Sequence, residues 1–156
     1  MNILIVYDSY FGNTKEIAYM IAGELEEGNE MKIVKADNVE KEDMNDIDLL
    51  VIGSPTRAFK PSPKITKFMK QIEYGRLNGV KVAVFDTRIS KEDTNLKILK
   101  GMIKIFGYAA NPMAKFLAKK GGEIVMEPIG FYVADTEGPI KDGEKDRLIQ
   151  WIGEIK

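Results

Sequence analysis

Five short apolar runs, separated by segments of helical period, constrain the fold of this chain more than any other feature. Ile3 to Tyr7, Leu49 to Ile52 and Val80 to Phe85 read as buried strands, and Ile33-Val34 as a weaker second strand. Ile124 to Met126 and Phe131 to Val133 read as a fifth strand, interrupted at Pro128. Between them, Ile17, Ala18, Ile21, Ala22 and Leu25 fall on one face of a helix, as do Ile65, Phe68, Met69 and Ile72, entered past Pro61 and Pro63. Asn111-Pro112 reads as a capping side chain followed by proline at the first helical position, in a helix ending near Gly121-Gly122. Asp142 opens a last helix with Leu148, Ile152 and Ile155 inward. Strands buried on both faces pair in parallel, and parallel pairs need helical crossovers. The expected fold is therefore a three-layer α/β/α sandwich, one domain over residues 1–156.

Composition matters here for what it removes. The chain has no cysteine and no histidine, which excludes disulfides, thiolate-held zinc, iron–sulfur clusters, cysteine nucleophiles and the usual neutral-pH proton shuttle. No metal ligands are assigned. Redox chemistry would need a borrowed cofactor. With 23 basic and 24 acidic residues, no basic excess points to nucleic acid. No apolar stretch approaches the roughly 20 residues of a membrane span, and no leader pattern precedes the first strand. A cytoplasmic protein is expected.

In open parallel sheets, ligands bind beyond the carboxyl ends of the strands where the strand order reverses, so the loops after strands one, three and four carry the functional reading. Ser9-Tyr10-Phe11-Gly12-Asn13-Thr14 offers two hydroxyls, an amide, a flexible glycine and the free N–H groups of a helix start. Such a loop suits a phosphate, because the helix dipole and unpaired amides favour an anion without a cationic side chain. The plainer reading is that Asn13 or Thr14 caps the helix and Gly12 completes a turn. Neither G-x-x-x-x-G-K-[ST] nor G-x-G-x-x-G occurs.

The loop resembles the signature of the flavodoxin family, a Ser/Thr-x-Thr-Gly-Asn-Thr segment directly after strand one. The resemblance implies a five-stranded parallel sheet of order 2-1-3-4-5 that binds flavin mononucleotide (FMN). Ser9, Asn13 and Thr14 would hold its phosphate, with Tyr10, Phe11 and Gly12 contributing backbone N–H groups. Phe11 replaces a common hydroxyl residue. After strand three, Ser54-Pro55-Thr56-Arg57-Ala58-Phe59 would cross the flavin ring, with Thr56 a further phosphate hydroxyl and Phe59 the stacking aromatic. Arg57 and Ala58 stand where the family often has Trp and Gly, and Phe59 packing on the following helix is the competing reading. After strand four, Asp86-Thr87-Arg88 replaces a frequent tyrosine, so Thr87 and Arg88 would meet the ring's pyrimidine edge. Alternatively, Asp86 and Arg88 form an exposed ion pair worth roughly 0 to 1 kcal/mol. Proton uptake at flavin N5 would be controlled by a backbone carbonyl near Arg57 or Ala58.

Between Arg88 and Asn111 the chain is longer than a compact flavodoxin requires. Leu96, Leu99, Met102, Ile103 and Phe106 recur at helical spacing, edged by Lys91, Lys97, Lys100 and Lys104, so residues 90–108 read as an inserted amphipathic helix. It packs on its own domain or forms a lid, a dimer contact or a docking surface. The expected function is an electron carrier between redox partner proteins, a monomer or weak dimer. The alternative is an FMN-dependent quinone or flavin reductase, or a membrane-facing oxidase of the same fold, with weak membrane-surface contact through residues 95–106. A flavin-free signalling module is disfavoured because strand three ends in Gly53-Ser54 instead of an aspartate. One cation about 7 Å from the reduced ring contributes roughly 2 kcal/mol at an effective dielectric near 20, so Arg57 and Arg88 are expected to raise the reduction potential.

Overall fold

The computed structural model describes residues 1–90 and 108–155. Its elements are β1 (Asn2–Tyr7), α1 (Asn13–Leu25), β2 (Glu30–Lys35), short 3-10 turns at Ala36–Asn38 and Lys41–Met44, β3 (Leu49–Pro55) and α2 (Pro63–Gln71). β4 (Lys81–Ile89), α3 (Ala110–Lys119), β5 (Glu123–Ile124), β6 (Ile129–Val133) and α4 (Glu144–Gly153) follow. The inserted helix expected over 90–108 lies outside the described residues, apart from its two ends.

All pairings within the sheet are parallel, in the order β2-β1-β3-β4, with β5 and β6 both on the far side of β4. β5 and β6 are the two halves of the strand read as interrupted at Pro128. Register places Ile3 beside Leu49 and Ile5 beside Val51, so successive residues serve opposite faces. Leu4, Val6, Leu50, Ile52, Val82 and Val84 form one core with residues of α2 and α3. Ile3, Ile5, Leu49, Val51, Ala83 and Phe85 form the other with residues of α1 and α4. Burial on both faces explains the unbroken apolar runs. Gly53 lies in the buried part of β3, where a Cβ would fall 2.0 Å from the Phe85 ring, so only glycine fits.

The expected inward faces of α1 and α2 are all buried, as are Leu148, Ile152 and Ile155. Trp151 is buried beside them, with its ring nitrogen donating to the Glu127 carbonyl at 2.9 Å. Two helix starts differ from expectation. α4 begins at Glu144 behind Gly143, whose φ of 86° turns the chain, so Asp142 precedes the helix. α3 begins at Ala110, and Asn111 is not its cap. The Ala110 N–H donates instead to Asp86 at 2.8 Å, a partner distant in sequence doing the work of a local cap. No described helix is long and apolar enough to cross a membrane.

Candidate functional site

The cleft lies at the carboxyl ends of β1, β3, β4 and β6. Tyr7 ends its strand beside Gly53, which is level with Phe85, so three chain exits open on one edge. Gly12, at φ 95°, swings the chain from β1 into α1, and no side chain caps the helix. The first intrahelical bond is from Glu16 N–H to the Gly12 carbonyl at 2.9 Å, which leaves the amides of Asn13, Thr14 and Lys15 without a helical partner. Ser9 Oγ accepts the Gly12 N–H at 3.0 Å and so shapes the loop from within. Asp8, buried at the end of β1, accepts the Ser9 N–H at 3.0 Å through Oδ1, while its Oδ2 has no hydrogen-bond partner among the described residues.

Other side chains tie this loop to its neighbours. Thr14 and Thr87 share a buried hydroxyl–hydroxyl bond of 2.8 Å, joining α1 to β4. Asn13 donates through Nδ2 to the Glu137 carbonyl at 3.2 Å, clamping the loop after β6. That clamp needs Gly138, because a Cβ there would come within 2.5 Å of Asn13 Oδ1.

After β3, Arg57 and Lys60 exchange two backbone bonds of 2.9 Å across Ala58 and Phe59, whose φ values are 45° and 67°. Positive φ at both central residues makes this a primed hairpin turn, here without glycine, at a strain of about 1 kcal/mol or more per residue. Arg57 lies 4.3 Å from the Tyr10 ring centre and 5.6 Å from that of Phe11, both rings being about half exposed.

The corner after β4 is closed. Asp86 is fully buried, and Arg88 binds its carboxylate through two nitrogens at 2.5 and 2.6 Å. Thr56 Oγ1 accepts the Ala109 N–H at 3.1 Å and donates to Asp86. Burial pushes the Asp86 carboxyl up from its ordinary pKa, while Arg88, the Ala110 N–H and Thr56 pull it down.

The model of the flavodoxin-domain family matches residues 4–131. The chain belongs to the flavodoxin family. It is 28% identical to a flavodoxin of Aquifex aeolicus (strain VF5) over 171 aligned positions, spanning 94% of this chain and 92% of that one. Among solved structures, it resembles oxidised Flavodoxin 1 from Bacillus cereus, with a TM-score of 0.76, 22% identity and coverage of 99% and 96% of the two chains. It also resembles rubredoxin oxygen:oxidoreductase from Desulfovibrio gigas, with a TM-score of 0.74 and 17% identity, over 99% of this chain but 35% of that one. Flavodoxins are FMN-binding flavoproteins, so the cofactor of this flavodoxin is FMN and its general role is electron transport.

The site itself fits that cofactor. An uncapped helix start at the cleft suits a phosphate, and the cleft, about 220 Å³, runs from it between the hairpin and β4. Its lining includes Ser9, Tyr10, Phe11, Asn13, Thr14, Pro55, Thr56, Arg57, Ala58, Thr87 and Arg88.

Four expected residues of the flavodoxin fall outside that lining. Gly12 turns the loop from behind. Ser54 is fully buried, with Oγ accepting the Ser62 N–H at 2.9 Å. Asp86 is covered by its partners, and its pair with Arg88, which the alternative reading places at the surface, is buried. Phe59 sits at the second turn position and is not among the residues that line the cleft. Tyr10 and Phe11, expected to offer mainly backbone groups, line the cleft with their rings close to Arg57. Ile89, Val133 and Thr136 also line it and were missed. Thr136 follows β6 in a loop whose approach to α1 had no local sequence signal.

Proposed function

We propose that this flavodoxin shuttles electrons between redox partner proteins, with the FMN phosphate seated on the open first turn of α1. The observation carrying this reading is the uncapped helix start at Asn13 behind left-handed Gly12. Bound FMN supplies the redox chemistry, and the protein supplies position and field. The Ser9 hydroxyl and the amides leading into α1 hold the dianion, with Thr14 braced by Thr87. Asn13 contributes its backbone amide while its side chain holds the loop after β6 in place.

Tyr10, Phe11 and Arg57 cover one side of the ring, and Thr87 and Arg88 meet its pyrimidine edge. Arg57 is exposed and in contact with two rings, so it favours electron density arriving on the flavin. Arg88 shares its charge with Asp86, which revises the expectation that both arginines raise the potential. Without histidine, a backbone carbonyl would accept the hydrogen bond of a protonated flavin N5. Arg57 O already accepts the Lys60 N–H, so we assign the role to the Ala58 carbonyl.

Calorimetry with FMN and riboflavin tests the phosphate seat. FMN should bind at least a hundredfold more tightly, and Ser9→Ala should narrow that gap; equal affinities would overturn the reading. Reduction by NAD(P)H without a partner protein would count against a carrier and for a reductase.

A further inference from the structure

Arg88 is confined from several directions by residues far apart in sequence. Its Nε and one terminal nitrogen bind the two oxygens of Asp86 at 2.5 and 2.6 Å. The Tyr108 ring centre lies 3.9 Å from the guanidinium carbon, and the Tyr108 hydroxyl donates to the Ile89 carbonyl at 3.0 Å. Gly130 on β6 supplies the slot, because a Cβ there would fall 1.8 Å from Arg88 Nε. Nη1, the remaining nitrogen, makes no hydrogen bond among the described residues, and Arg88 itself lines the cleft. Asp86 does not reach the cleft, yet it binds Arg88, Ala110 N–H and Thr56.

The geometry points to Asp86 as a positioning residue for the flavin: it aims the remaining nitrogen of Arg88 at an acceptor edge of the ring and cancels the charge that comes with it. A lone guanidinium beside the ring would favour the reduced flavin strongly, since reduction brings negative charge to the ring. A paired one donates a directional hydrogen bond with little net field. Asp86 therefore sets both affinity and potential without touching FMN. This rests on the FMN reading proposed above.

The test compares wild type, Asp86→Asn and Arg88→Met. FMN affinity is measured by calorimetry on the apoprotein, the reduced-over-oxidised affinity ratio by potentiometry, and folding by circular dichroism. Wild-type calorimetry alone decides whether FMN binds, so failure there sinks the underlying reading and not this one. Asp86→Asn should raise the affinity ratio at least tenfold, about 30 mV for a two-electron couple. Arg88→Met should weaken oxidised FMN at least tenfold and move the ratio less than threefold, because Asp86 without its partner takes up a proton.

A folded Asp86→Asn protein with an unchanged ratio would overturn the proposal, as would Arg88→Met with unchanged affinity. Should Asp86→Asn not fold, Arg88→Lys reads the same claim. It keeps the charge but loses the forked geometry, so affinity should fall at least fivefold at a ratio within threefold of wild type. Unchanged affinity in that variant would overturn the proposal.

Discussion

At the start of α1 the first-turn amides stand beside the cleft with no side-chain cap, whereas at the start of α3 the Ala110 amide is already bound to Asp86. α2, which begins on the same edge of the sheet, resembles α3 in this respect. Ser62 accepts the Ile65 N–H at 3.3 Å and Pro63 follows it. Three helices that follow β1, β3 and β4 thus start with the same backbone groups and the same positive dipole end. Two spend them on the fold, and one keeps them for a ligand. Substitutions at closed starts should act on stability, and those at the open start on FMN affinity.

The largest expected effect breaks the closed corner. Arg88→Met should destabilise the apoprotein by about 3–5 kcal/mol at pH 8, because the buried carboxyl left without its partner must take up a proton from alkaline solvent. The deficit should shrink at pH 5. Burial holds the Asp86 pKa above its unfolded value of roughly 3.9, so its contribution is fully present below that value and lost as pH rises through the folded pKa. Removing Arg88 pushes the folded pKa higher and extends the window upward. Urea unfolding at both pH values checks this, and an equal deficit would show that Asp86 does not take up the proton.

Gly138→Ala should come next, at about 2 kcal/mol. It places a side chain at φ 102° and drives a Cβ toward Asn13 Oδ1. Because Asn13 belongs to the open loop, FMN affinity should fall with stability. Affinity unchanged by calorimetry would separate the clamp from the site.

Ser62→Ala and Gly12→Ala sharpen the contrast, each at about 1 kcal/mol in urea unfolding. The Gly12 loss comes from its φ alone, since a Cβ there meets nothing within 4 Å. Only Gly12→Ala should also weaken FMN. If Ser62→Ala weakens it equally, the helix starts are not divided as described.

Arg57→Ala should change stability least, by less than about 0.5 kcal/mol, because Arg57 is exposed. It should still lower the flavin potential in a potentiometric titration. No change there would leave the hairpin arginine without influence on the ring.

The order of strands and helices followed from the sequence because burial on both faces leaves an unmistakable pattern. Ile3 to Tyr7 reads as a buried strand whatever packs on it. The Ser9–Thr14 loop was legible for a similar reason, since its hydroxyls, its left-handed glycine and the helix start lie within six consecutive residues. Phe59 shows where that legibility ends. Its place after β3 suggests a stacking ring, and the folded chain puts it at the second position of a two-residue turn, outside the lining of the cleft.

What the sequence determined by itself was local: chain-adjacent geometry and the two-faced burial of the central strands β1, β3 and β4. Tertiary structure decided which groups were already spoken for. Asp86 and Arg88 looked like an exposed pair because Ala110 and Gly130, which enclose them, lie more than twenty residues away or on another strand. Asn13 reads as a phosphate ligand, and nothing in the sequence signals that its side chain also donates to the Glu137 carbonyl, 124 residues distant. A hydrogen-bonding group has the same appearance in a sequence whether it is free or taken, and only the folded chain brings up the partner that settles the matter.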